Sequence, residues 1–357
     1  MSVPNNETYM FVVEYFDPLP RLKRQYLLKL FLDGMQIELV DLKSKKMFLK
    51  KSPCPPHITK EEFFIGGKVL LYGRDLEIVD YGDLKTRDKL QYQLQQSVVV
   101  LPQDLQGVWG DVLDALITKG GMSIVRIKSV LVPQDVADRV CAVLKLNPRR
   151  AGVLTGGDGG TSMCLVLVVQ GEDGLQKTSD IASAHNAGEF VSRSGLETAD
   201  LLDTLLLSGR LASSVTLDNS TCCIVKPHAI KAKLLGKILS SISAQGYEIS
   251  AATTIFFDRT SAEEFLEVYK GVVPEYPDQV SELASGMCVA LEVRAEDAVG
   301  TFRQTAGPWD VEMAKVLRPD SIRGLYGIDR VRNVIHCTDL AADAVPELEY
   351  CFKIIQQ

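Results

Sequence analysis

The stretch CCIVKPHAIKAKLLGKILSSISAQGYEISAATTIFF, residues 222–257, decides the fold because the chain carries its pattern twice. VVVLPQDLQGVWGDVLDALITKGGMSIVRIKSVLV, residues 98–132, runs alongside it. Pro102 aligns with Pro227, and Gly110 and Gly120 are ten residues apart, as are Gly236 and Gly246. Self-similarity of this kind marks a duplicated structural unit. Each copy reads as strand, helix, glycine turn, strand. Leu235, Ile238, Leu239 and Ile242 recur at helical spacing and give one apolar face to lie on a sheet. The glycine after each helix suits a left-handed cap. Both copies then carry an apolar run, MCLVLVV at 163–169 and MCVALEV at 287–293, which reads as a buried strand. The pattern predicts two α+β sandwich domains with mainly antiparallel sheets, at 95–210 and 219–355. LASSVTLDNS, 211–220, reads as the linker between them.

Residues 1–91 follow another rule. FVVEYF, YLLKLFL, MQIELVDL, KMFLK, KVLLYG and DLEIVDYG are short strand-like runs at close spacing. Asp33-Gly34 between two of them is a hairpin signal. The prolines of FLKKSPCPP mark a loop, and Thr59 is a candidate cap for a short helix. A small antiparallel barrel or sandwich is expected here.

Composition bounds the function classes. Of 357 residues, 46% are hydrophobic and 24% charged, the profile of a soluble globular protein. The sequence predicts neither a secretory signal nor a membrane span. The eight cysteines form no CxxC pair, which predicts reduced thiols in an intracellular protein and no metal site. Residues 1–91 hold 15 basic against 13 acidic side chains, and the remainder 24 against 33, so nothing points to nucleic acid. KSKKMFLKK, Lys43–Lys51, is read as a solvated hairpin face or a contact for an acidic partner surface. TGGDGGTS, 155–162, lacks the lysine of a phosphate loop and reads as a flexible surface loop.

The chemistry is concentrated in the second copy. A phosphoryl-transfer site needs cations for the oxygens and a nucleophile or positioning group. Lys226, Arg303, Arg323, Asn333, His336 and Glu347 are the candidates, but they are too far apart in sequence for spacing alone to join them. The residues themselves support an α+β domain with one candidate nucleophile.

CIVKPHAI (223–230), GLYGIDRVRNVIHCTD (324–339) and the spacing to LEYCF (348–352) resemble a nucleoside diphosphate kinase domain over nearly all of 219–355. The resemblance implies the ferredoxin-like nucleoside diphosphate kinase fold for both copies. It implies that His336 takes the γ-phosphoryl of a nucleoside triphosphate as phosphohistidine and passes it to a diphosphate. Glu347 is then expected to orient the ring. Lys226, Arg303, Arg323 and Asn333 are expected to hold phosphates and sugar, Thr338 to touch the nucleophile's surroundings, and Mg²⁺ to bridge phosphate oxygens. The family's usual tyrosine falls at Leu266 and its stacking aromatic at Tyr276. A phosphate-contacting threonine is replaced by Trp309, and His228 stands where an acidic residue is common. In the first copy Leu101 takes the lysine position, the histidine position falls at or near Arg193, and His185 lies too early, so that copy is expected to be inactive.

EYFDP (14–18), ELVD (38–41), MFLK (47–50), FFIGGKV (63–69) and IVDYGD (78–83) resemble the DM-ten domain of ciliary proteins. That resemblance implies a pleckstrin-homology-like β-barrel. It also implies a cytoskeletal setting on the ciliary or flagellar axoneme, with tubulin and other doublet-microtubule proteins as partners. Two functions are thus expected: a structural doublet protein (a microtubule inner protein) with residual phosphotransfer, or an active nucleoside diphosphate kinase. Active family members form hexamers, and the fused copies are expected to stand in for one dimer within a single chain.

Overall fold

The computed structural model describes residues 7–17, 22–56, 58–155, 161–207 and 211–356. Most of the 155–162 stretch lies outside them. The chain divides into two compact units, Met1–Leu94 and Gln95–Gln357.

In the first unit, β1 (Thr8–Asp17), β2 (Leu22–Phe31), β3 (Gln36–Asp41), β4 (Met47–Pro53), β5 (Lys68–Leu71) and β6 (Arg74–Tyr81) precede helix α1 (Leu84–Gln93). They form one curled antiparallel sheet in the order β4-β3-β2-β1-β6-β5. Alternation does the sorting: Tyr26, Leu28 and Leu30 of β2 are buried, and the residues between them are partly exposed. The Asp33-Gly34 signal lies in the β2–β3 turn, where Gly34 takes φ +74°. Edge strand β4 is almost wholly exposed and carries Lys50 and Lys51, as edge strands often do.

The second unit contains both repeats. The first comprises β7 (Leu94–Pro102), α2 (Gln106–Thr118), β8 (Ser123–Val132), α3 (Gln134–Leu144), α4 (Pro148–Thr155), β9 (Ser162–Glu172), α5 (Gly174–Ala184) and α6 (Gly195–Leu202). The second begins with β10 (Ser220–Val225), α7 (Pro227–Lys231), α8 (Leu235–Ala244), β11 (Glu248–Phe256), α9 (Arg259–Phe265) and α10 (Tyr276–Leu283). It ends with β12 (Met287–Arg294), α11 (Ala298–Ala306), α12 (Val311–Leu317), α13 (Ile322–Tyr326), β13 (Ile335–Cys337) and α14 (Ala344–Glu349).

All strands of both repeats join one seven-stranded sheet, ordered β13-β10-β12-β11-β8-β9-β7. The joint is the antiparallel contact of β8 with β11, where Lys128 lies opposite Thr253. One hydrophobic core crosses it, from Val99, Trp109, Leu113 and Leu116 to Ile238, Leu239, Ile242 and Val289.

Helices α2 and α8 cross above the joint at close range. A Cβ on Gly110 would overlap Ser240, and one on Gly236 would overlap Asp114. The two contacts exchange under a shift of 126 residues (110 to 236, 114 to 240), as a local two-fold between the copies requires. The turn after each helix differs slightly between copies. Gly246 takes φ +83°, but in the first copy the left-handed residue is Gly121, φ +66°, not Gly120.

Residues 211–217 are stitched to both copies. Ala212 O accepts from Leu131 N of β8 at 3.2 Å. Ser214 Oγ lies 2.7 Å from both Ser129 Oγ and Ser250 O. The carboxylate of Glu292, fully buried in β12, accepts from Leu217 N (2.6 Å), Thr216 N (2.8 Å), Thr216 Oγ1 (3.2 Å) and Ser250 Oγ (2.6 Å). Four donors around one carboxylate supply what its burial would otherwise cost.

The close helix crossing yields the first prediction. Gly236→Ala forces α8 off α2 and lowers the unfolding free energy by about 1–3 kcal/mol. Gly107→Ala, on α2 but facing open space, leaves it unchanged or slightly raised. Urea unfolding of the two variants side by side checks both.

Candidate functional site

β10 runs out at Val225, and Lys226 caps α7 with Pro227 in the first helical position. This delivers the lysine to the end of the sheet beside β13. There Ile224 pairs with His336 and Cys223 with Cys337. The cleft at this end is lined by Lys226, Tyr269, Trp309, Arg323, Asn333 and His336, with Leu266, Gln279, Cys337 and Asp339 around them.

His336 is 8% exposed. Its Nε2 is 3.1 Å from Glu347 Oε1 of α14. The second carboxylate oxygen accepts from Thr338 Oγ1 at 2.7 Å, and that hydroxyl in turn accepts from Cys222 N at 3.1 Å. A proton held on Nε2 by Glu347 leaves the lone pair on Nδ1. The edges of Phe265 and Tyr269 confine the ring, at 5.1 and 6.4 Å between centroids.

The cations are tied to backbone carbonyls. Lys226 Nζ donates to Val331 O at 3.0 Å. Arg323 donates to Gly307 O (2.8 Å) and Ile335 O (3.1 Å). Asn333 Nδ2 donates to Trp309 O at 3.2 Å. Among the described residues, Arg323 Nε, Asn333 Oδ1 and Gln279 Nε2 are buried without a hydrogen-bond partner. Three orphaned polar atoms on the walls of one cleft mark a place for a polar ligand. Burial, followed by the neighbouring Arg323, brings Lys226 down to about 8. Burial and a 2.7 Å hydrogen bond to Asp339 raise the Tyr269 phenol, so it stays protonated.

The structure therefore brings Lys226, Arg323, Asn333 and His336 to one cleft, with Glu347 and Thr338 directly behind the imidazole. Arg303 stands at the rim, where it bonds Asp339 O at 2.7 Å and faces the Asp339 carboxylate at 3.5 Å. Tyr276 is not among the lining residues; it opens α10 and its hydroxyl donates to Glu263 O. Sequence reasoning missed Tyr269, Gln279 and Asp339. Asp339 follows Thr338 directly and could have been read from the motif, whereas Gln279 and Tyr269 carry no spacing signal. Among the described residues, no group of three or more His, Cys, Asp or Glu side chains is arranged to hold a metal ion.

In the first copy, apolar residues stand at two of the corresponding positions. Val99 bridges Val191 where Ile224 meets His336 in the second, so an apolar residue, two before Arg193, faces the first strand. Leu101, in the place of Lys226, is fully buried in the core.

Comparison with known proteins follows this division. Nucleoside diphosphate kinase homolog 7 of Rattus norvegicus is 32% identical over 384 aligned positions, covering 98% of this chain and 94% of that protein. This chain belongs to the nucleoside diphosphate kinase homolog 7 family. The Mus musculus homolog 7 is 31% identical with the same coverage. The family model described as nucleoside diphosphate kinase matches residues 219–356, the copy that holds the cleft. Nucleoside diphosphate kinase of Aquifex aeolicus is 36% identical over 132 positions, 37% of this chain and 91% of that protein.

Lys226 gives a pH prediction. Its folded value, about 8, lies below the ~10.4 of an unfolded lysine, so between these values the unfolded chain binds more protons here. Stability at this residue therefore rises with pH across that window. Lys226→Met lacks the gain, so its stability relative to the parent is highest near pH 7.5 and falls towards pH 10. Urea titrations at the two pH values measure the difference.

Proposed function

We propose that the second repeat is a phosphoryl-transfer site. The observation that carries this is the His336 Nε2–Glu347 contact at 3.1 Å, with Lys226, Arg323 and Asn333 lining the same cleft. Nδ1 attacks the γ-phosphorus of a nucleoside triphosphate; its bond to the bridging oxygen breaks and the diphosphate leaves. An acceptor diphosphate then attacks the phosphohistidine and restores the imidazole. The proton stays on Nε2, held by Glu347, and Thr338 fixes that carboxylate. Lys226, Arg323 and, from the rim, Arg303 meet phosphate charge, and Asn333 Oδ1 accepts from a ligand hydroxyl. Mg²⁺ would come with the nucleotide as part of the substrate and would offset phosphate charge beside Lys226 and Arg323.

The test is incubation of the full chain with ATP labelled in the γ-phosphoryl group. An acid-labile, base-stable label is expected, absent from His336→Ala and formed at least about tenfold more slowly by Glu347→Gln. Undiminished labelling of His336→Ala excludes this nucleophile.

A second reading, a structural role on ciliary or flagellar doublet microtubules, is favoured by Trp309 on the cleft wall and by the apolar Leu101 and Val191 of the first copy. Trp309 stands on a wall of the cleft, where the resemblance leads one to expect a small phosphate-contacting threonine. In this reading the curled N-terminal sheet is a DM-ten domain of pleckstrin-homology-like barrel form, and tubulin and other doublet proteins are the partners. The exposed lysines of Lys43–Lys51 support contact with an acidic surface. Retention of the protein on isolated axonemes through salt extraction supports this role, and ready release with the soluble matrix counts against it. Trp309→Thr separates the two readings: it raises the phosphohistidine rate about tenfold if the indole limits the site, and leaves it unchanged if turnover is unhindered.

A further inference from the structure

The nucleophile is delivered by a strained turn. Val334 sits at φ +78°, and Ile335 N donates to Asn333 O at 2.9 Å, closing a three-residue γ-turn. A β-branched residue at positive φ is held only where its surroundings over-determine it. Val334 is fully buried, so its own peptide groups cannot turn to water. Its carbonyl accepts from Lys226 N at 3.0 Å. Its N–H donates not to backbone but to a side chain, His228 Nε2, at 3.1 Å.

That bond fixes the state of His228. Nε2 accepts, so it carries no proton, and Nδ1–H donates to Glu282 Oε1 at 2.8 Å. The same carboxylate oxygen accepts His228 N at 3.0 Å, which locks the ring to α10. A chain of contacts thus runs from α10 through His228 to the turn, and His336 follows two residues later. Glu347 holds the imidazole, whereas the Val334 N–H is held by His228.

We infer that His228 is a positioning residue: its unprotonated Nε2 anchors the strained Val334 turn and so aims Asn333 and His336 into the cleft. This rests on the phosphoryl-transfer reading for its catalytic consequence, but not for its geometry. Without the anchor, the buried Val334 N–H is unpaired and the turn relaxes towards an ordinary φ. The β10–β13 pairing survives, and the imidazole moves.

Two substitutions separate anchoring from packing. Glutamine can place an acceptor near the Nε2 position, and asparagine reaches only as far as Nδ1. His228→Gln is expected to form phosphohistidine within about threefold of the parent, and His228→Asn at least about tenfold more slowly. Equal rates for both variants overturn the proposal. A second measurement does not depend on activity: long-range ¹H–¹⁵N spectra of the histidine-labelled full chain. These are expected to give the Nδ1–H tautomer for His228, and a His336 ring shift that moves in His228→Asn but not in His228→Gln. An Nε2–H tautomer, or a His336 signal unmoved in both, overturns the proposal. If the parent forms no phosphohistidine while the spectra match, the phosphoryl-transfer reading fails and the anchor stands.

Discussion

The meeting of β8 with β11 is the constraint on which the second unit depends. Each repeat alone would end in an unpaired strand and half a core. Joined antiparallel at Lys128 and Thr253, they share one sheet and one apolar layer. The price is paid by the helices above, which approach until no side chain fits between them. Gly110 and Gly236 occupy the two symmetry-related points of that approach. The linker reinforces the same joint, because Ser214 touches β8 and β11 together and Glu292 gathers residues 216 and 217.

This separates two sets of requirements that an enzyme domain usually carries together. The joint lies between β11 and β8, whereas the cleft lies at β13 and β10, the far edge of the sheet. A residue can therefore change at one without disturbing the other. Leu101 in place of a lysine adds to the core and removes a cation. Val191 opposite Val99 keeps the strand bridge and removes an imidazole. The first copy keeps the glycine that builds the joint and has apolar Leu101 and Val191 at two positions that are polar in the cleft.

What the sequence made legible follows the same line. Periodicity and the repeated glycines placed β7, α2, β8 and β10, α8, β11, because local pattern encodes element type and buried face. Pattern does not encode partner. Nothing in Lys128 or Thr253 says that their strands pair, so the continuous sheet is visible only in the folded chain. Lys226, Arg323, Asn333 and His336 are candidates by side-chain chemistry, the resemblance assigns their roles, and their convergence is a property of the fold. Tyr276 was placed by counting along a segment of short helices, where a small shift in register moves an aromatic off the cleft. Tyr269 lines it instead, at the end of the short helical turn after α9. His228 and Glu282, 54 residues apart, carried no signal of their contact.

The cleft also gathers several unfavourable arrangements in one place. A valine lies at positive φ, a lysine is desolvated, and three polar atoms have no partner among the described residues. Each costs on the order of 1–3 kcal/mol, against a net stability of about 5–15 kcal/mol for an ordinary domain. The strand that carries the histidine, β13, has three residues and one neighbouring strand, too little to hold such an arrangement alone. The compensation has to come from the core behind it, and that core runs through both copies. The first repeat thus contributes to the apolar layer on which the cleft of the second is built. The strained turn at Val334 is thus held by a layer that neither copy builds alone.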